Sequence, residues 1–122
     1  MMQITKLWQN GAMKGLPPEA LAEVAAYFQA LSEPTRLALL NRLRTGECNV
    51  GELAEASGFS VANISRHLNL LRKHGLVERE SRGTSVYYRI ADPSVYDLCD
   101  IVCGSIARHL DRSVARRRIF KR

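Results

Sequence analysis

The sequence predicts a mainly α (α+β) domain of about five helices and one two-stranded β-hairpin. Three observations predict it. Between Pro17 and Lys73, apolar residues recur at helical spacing, punctuated by caps, prolines and glycines. From Leu76 to Ile90 the period drops to two. At Asp92-Pro93 a cap followed by proline returns the chain to helical spacing.

Residues 1–16 read as an N-terminal arm, anchored by Trp8 and Leu16 and broken by Gly11 and Gly15. Pro17-Pro18 suits a first helical turn, where the missing N–H is not needed. Leu21, Val24, Ala25, Phe28 and Leu31 then carry a helix over 19–31. Ser32 is the expected N-cap of a second helix with Pro34 just inside it; Leu37, Leu39, Leu40 and Leu43 lead it to a stop at Gly46. A brief helix follows over 50–56, capped by Asn49 and closed by Gly58. Ser60 caps a longer one that reaches about Lys73 and ends at Gly75. Val61, Ile64, Leu68 and Leu71 share one face of that helix, and Ala62, Arg66, Asn69 and Lys73 the opposite one.

Leu76–Ser81 and Thr84–Ile90 read as strands joined by a turn containing Arg82-Gly83. The last helix is expected over 93–114, with Val95, Cys99, Val102, Ile106 and Leu110 on one stripe. The folded domain is thus placed at 17–114, and 115–122 is a basic C-terminal tail. The last stripe holds more apolar surface than a chain of 122 residues easily covers, so pairing with a second copy is expected.

No apolar run approaches the roughly 20 residues that span a bilayer, and the first twenty residues lack a signal-peptide pattern. A cytoplasmic protein with no membrane partner is expected. Gly-rich phosphate loops, nucleophile elbows and His-Glu metalloprotease motifs are missing from the sequence. No catalytic residue is therefore assigned, and no cofactor is required.

Charge is unevenly distributed. The formal net charge is +6, and residues 108–122 alone hold seven basic residues against Asp111. Residues 61–90 carry Arg66, Arg72, Lys73, Arg79, Arg82 and Arg89 against Glu78 and Glu80, whereas 17–60 are net acidic. A positive sub-region beside a negative one suits a surface offered to a polyanion.

A short helix, a turn and a second helix with a small, polar, basic outer face form a helix-turn-helix, and the hairpin after it forms a wing. Such a second helix fits the major groove of duplex DNA, about 12 Å wide. Ser60, Val61, Asn63, Ser65, Arg66, His67 and Asn69 are the candidates for base edges and phosphates, with Lys73, Arg79 and Arg82 supplying phosphate charge. His74 reads as a cation at the helix C-terminus.

Leu31–Leu37, Gly51–Ala54, Ser60–Leu71, Gly75–Val77 and Arg82–Tyr88 together resemble the signature segments of the ArsR family of bacterial repressors. The resemblance covers about residues 20–110. It implies a winged helix-turn-helix homodimer built through its first and last helices. It further implies a repressor that sits on a twofold-symmetric operator and is released by an inducer.

Family sensing sites are matched only in part. The thiol positions at the third helix fall on Asn49 and Gly51, next to Cys48. Of the last-helix zinc set Asp92 matches, but Ser94, Ser105 and Arg108 stand where the other ligands belong. The persulfide-sensing pair falls on Asn41 and Ala107. Cys99 and Cys103 remain, spaced i, i+4 so that their sulfurs share one side of a helix. Two thiolates can begin a site for a soft ion such as As(III), Sb(III), Cd(II) or Zn(II), with Cys48, His109 or a partner-chain cysteine as third ligand. Equally, a buried cysteine can serve as a small hydrophobe. A repressor without a sensor and a winged helix used for protein–protein contact are the alternatives.

Overall fold

The computed structural model describes residues 13–110 together with 119 and 120. Its elements are α1 (Pro18–Ala30), α2 (Pro34–Leu43), β1 (Cys48–Asn49), α3 (Val50–Ser57), α4 (Val61–Lys73), β2 (Val77–Arg82), β3 (Ser85–Ile90) and α5 (Ser94–His109). The five helices among the described residues follow the expected order. Most of the N-terminal arm, residues 111–114 of the expected last helix, and the basic tail except 119 and 120 lie outside the described residues.

The cap of α2 differs from the expectation. Glu33 is the N-cap, and its carboxylate accepts hydrogen bonds from the backbone N–H groups of Thr35 and Arg36. These bonds hold the Glu33 carboxyl below its ordinary range, against the opposing pull of desolvation. Ser32 instead closes α1, its hydroxyl donating to the Gln29 carbonyl at 2.7 Å. A carboxylate satisfies two orphan N–H groups and favours the positive end of the helix, so it takes the cap from the adjacent serine.

The hairpin is part of a three-stranded antiparallel sheet in the order β1-β3-β2. β1 pairs with β3 through Cys48↔Tyr88 and Asn49↔Tyr87. Two residues are too few to display a period, which is why this strand is invisible in the sequence. The hairpin register runs from Val77↔Ile90 to Arg82↔Ser85, which puts the two-residue turn at Gly83-Thr84. Gly83 has φ 62°, a left-handed conformation that glycine adopts without steric cost.

Every element except α1 and β1 contributes a buried side chain to one core: Leu39, Leu40 and Leu43; Leu53 and Ala54; Ile64, Leu68 and Leu71; Leu76, Val77, Tyr88 and Val95. α5 is fastened to α2, with the Tyr96 hydroxyl donating to the Leu40 carbonyl at 2.7 Å. The Arg44 guanidinium lies 4.5 Å from the Tyr96 ring centroid and 3.6 Å from Asp100. Asp92 accepts from the hydroxyl and N–H of Ser94, which holds its carboxyl below the usual range. No described helix is long and apolar enough to cross a membrane.

The apolar stripes of α1 and α5 are only partly covered. Leu21 and Phe28 are 44% and 49% exposed, and Ile101 and Val102 are 68% and 45% exposed.

Candidate nucleic-acid interface

Local chemistry builds the reading head. The Asn49 side chain accepts from the Glu52 N–H while the Glu52 carboxylate accepts from the Asn49 N–H, both at 2.8 Å, a reciprocal cap that starts α3. Gly58, at φ 76°, ends it in a left-handed turn. Two residues later the Ser60 hydroxyl accepts from the Asn63 N–H at 3.1 Å and starts α4.

Ile64, Leu68 and Leu71 are 0% exposed, so α4 is held along its inner face. Val61 departs from that expected stripe and is 50% exposed, because the first residue of the helix lies past the end of the packed face. On the outer side, Ala62, Arg66, Asn69, Arg72 and Lys73 are exposed, while Asn63 and Ser65 are half-buried. Arg66 donates to Asn63 Oδ1 at 3.1 Å, so two candidate base-reading groups are already aligned on one another. Arg79 is exposed on β2.

Two of the ten candidates are placed differently from what a free DNA contact requires. His67 is half-buried, with Nδ1 3.1 Å from Arg36 Nη1 of α2. Arg82 is bidentate to Glu47 at 2.7 and 2.9 Å, donates to Glu80 at 3.0 Å, and lies 4.5 Å from the Tyr87 ring centroid. The Glu47 and Glu80 bonds push Arg82 further up in pKa, and both carboxyls are held below their ordinary range by the same contact. Arg89 is likewise engaged, 3.2 Å from Glu78 and from Glu80.

A phosphate at Arg82 would therefore compete with Glu47 and Glu80 for the guanidinium. Among the described residues, Arg66, Arg72, Lys73 and Arg79 make no ion pair, so they carry the outward positive charge. Arg72 belongs to the positive sub-region of residues 61–90 but not to the ten contact candidates; its place in the last turn of α4, beside Lys73, was the available signal. Glu47 lies 35 residues from Arg82 and left no local signal.

Cys99 and Cys103 line a groove of about 820 Å³ whose walls include Phe28, Leu31, Leu40 and Arg44 from α1, α2 and the start of the next turn. Cys99 packs against the core; burial pushes its thiol pKa up, and the neighbouring Cys103 and Asp100 add to the effect. Cys48 sits in β1 opposite Tyr88 and does not line this groove. Among the described residues no three His, Cys, Asp or Glu side chains gather as a metal site.

A short capped helix, a left-handed turn, an exposed second helix and an adjacent hairpin define a winged helix-turn-helix domain of the class used by DNA-binding transcriptional regulators. The family model described as bacterial regulatory protein, arsR family, matches residues 33–79. The HTH-type transcriptional regulator NmtR of Mycobacterium tuberculosis is 41% identical over 92 residues, 75% of this chain and 77% of that protein. This chain therefore belongs to the ArsR family, whose members are DNA-binding regulators and not enzymes.

A probable mercury resistance operon repressor of Streptomyces lividans is 39% identical over 74 residues, 61% of this chain and 59% of that protein. Among solved structures, the homodimeric winged helix-turn-helix DNA-binding domain of a possible ArsR-family regulator from Mycobacterium bovis superposes with a TM-score of 0.68. It is 34% identical and covers 84% of this chain and 97% of its own.

Proposed function

We propose that the protein is a homodimeric repressor that reads its operator through the outer side of α4 and is released by a thiophilic ion or thiol-reactive inducer. The observation that carries the DNA reading is the division of α4: an inner face with no exposure and an outer face where Arg66, aligned on Asn63, stands with Asn69, Arg72 and Lys73. Ser60, Ser65 and Arg79 flank this set, and Val61 extends it at the helix start. Two copies would place their α4 helices in major grooves about one helical turn apart, roughly 34 Å.

The sensing half of the proposal rests on Cys99 and Cys103 in the groove between α1, α2 and α5. Two thiols from one chain leave a third ligand for As(III) or Sb(III) to come from the partner or from solvent. A soft ion content with two thiolates, such as Hg(II), is supported by the printed function of the Streptomyces lividans relative. An ion there would bias the dimer geometry, and a coupling of about 1–3 kcal/mol would lower operator affinity by about 5- to 150-fold. A second reading, a repressor without a sensor, is favoured by the place of Cys99 against the core, where a cysteine acts as a small hydrophobe.

Fluorescence anisotropy on DNA from upstream of the gene tests both halves. Binding should weaken steeply with salt. As(III), Sb(III), Cd(II), Zn(II), Hg(II) and a persulfide donor are then added to wild type and to the Cys99→Ser/Cys103→Ser variant. Release of both proteins alike removes the sensing proposal, and binding indifferent to salt removes the DNA reading.

A further inference from the structure

Arg36 occupies an unfavourable place for its own helix. It stands in the first turn of α2, where a cation opposes the helix dipole. Its reach explains it. Nε donates to the Ala30 carbonyl at 2.6 Å and Nη2 to the Gln29 carbonyl at 3.3 Å, two groups at the end of α1, which has no basic residue in its own last turn. Nη1 lies 3.1 Å from His67 Nδ1 on α4. One guanidinium thus joins the end of α1, the start of α2 and the middle of the helix that faces DNA.

A guanidinium only donates, so Nδ1 of His67 must accept and the neutral ring carries its proton on Nε2. His67 is half-buried at this junction, between the fully buried Ile64 and Leu68 on one side and the exposed Arg66 on the other. Glu33 completes the local charge set, its carboxylate bonded to the N–H of Arg36.

We propose that His67 is a positioning residue for DNA binding: through Nδ1 and Arg36 it ties the orientation of α4 to the C-terminal end of α1, and it makes no direct contact with the operator. This rests on α4 being the reading helix. It further links that helix to α1, whose exposed Leu21 and Phe28 belong to the uncovered face.

The two ring nitrogens can be tested separately. An asparagine amide oxygen takes the place of Nδ1, whereas a glutamine amide takes the place of Nε2. A duplex selected by the wild-type protein from a random library is titrated with wild type, His67→Asn, His67→Gln and Arg36→Lys, each first shown folded by circular dichroism. His67→Asn should bind within a few-fold of wild type, and His67→Gln and Arg36→Lys roughly tenfold more weakly, the size of one lost charge-assisted hydrogen bond.

Binding to an unselected duplex should change less than binding to the selected one, because misorientation affects base contacts more than phosphate contacts. The opposite order, with His67→Gln strong and His67→Asn weak, would mean a direct Nε2 contact and overturn the proposal, as would equal binding by all four proteins. Nitrogen-15 shifts of the wild-type imidazole give a readout independent of the variants: Nδ1 should be unprotonated, and a proton on Nδ1 refutes the contact. Failure of the wild-type protein to select any duplex would instead refute the reading of α4 itself.

Discussion

The two ends of this domain are finished to different degrees. Around α3, α4 and the hairpin, a single chain closes its own core: Ile64, Leu68, Leu71 and Leu76 have no exposure, and α3 and α4 each begin with a side-chain cap. Along α1 and α5 it does not, and Leu21, Phe28, Ile101 and Val102 keep between 44% and 68% of their surface in water. The difference teaches that the reading head is specified within one protomer, while the spacing between two heads is left to the surface that a second copy covers. The homodimeric state of the Mycobacterium bovis domain accords with this division.

The division can be broken most severely from the finished end. Leu68→Ala should cost about 2–5 kcal/mol by leaving a cavity in the core beneath α4, read as a lower denaturation midpoint in urea. The same loss of side chain at exposed Ile101 should leave the midpoint of the isolated fold much less changed. Val102→Glu attacks the other end: dimerisation should weaken by at least roughly a hundredfold, as a charge would enter an apolar interface without a partner. Analytical ultracentrifugation should then report a folded monomer with lost operator affinity. A Val102→Glu protein that stays dimeric would show that α5 does not form the contact.

Smaller changes sharpen the picture of the head itself. Arg66→Ala should cost about 1–3 kcal/mol of operator affinity and relax sequence preference, whereas Lys73→Ala should weaken all duplexes alike and reduce the salt slope by about one. Asn49→Ala removes one half of the reciprocal cap on α3 and should lower stability by about 1 kcal/mol, measured by thermal unfolding.

The smallest effect lies in the wing. Glu47 and Glu80 are held below the ordinary carboxylate range by hydrogen bonds from Arg82. Their contribution is therefore present above the unfolded-state pKa and is lost as pH falls through the lower folded-state value. An NMR titration should find both midpoints below the ordinary carboxylate range, and Arg82→Gln should move them back up. Because all three groups are exposed, overall stability should hardly change.

Much of the head was legible because its signals are local. Ser60, Gly58 and the Ile64/Leu68/Leu71 spacing act over one or two turns, so the boundaries of α4 follow from neighbouring residues. The α2 cap was misplaced by one residue because Ser32 and Glu33 are both competent, and only the end of α1 decides which is free. The phosphate role expected of Arg82 met Glu47, a partner far along the chain, and His67 met Arg36 31 residues away. β1 offered no pattern at all until β3 lay beside it.

By itself, then, the sequence determined the order of elements, the turns and the buried face of α4, since periodicity and capping are short-range properties of the chain. Which charged groups remain free for DNA, which imidazole nitrogen is engaged, and which apolar stripes stay uncovered were decided by tertiary structure. Those outcomes depend on side chains that meet only after folding has brought distant segments within a few ångströms.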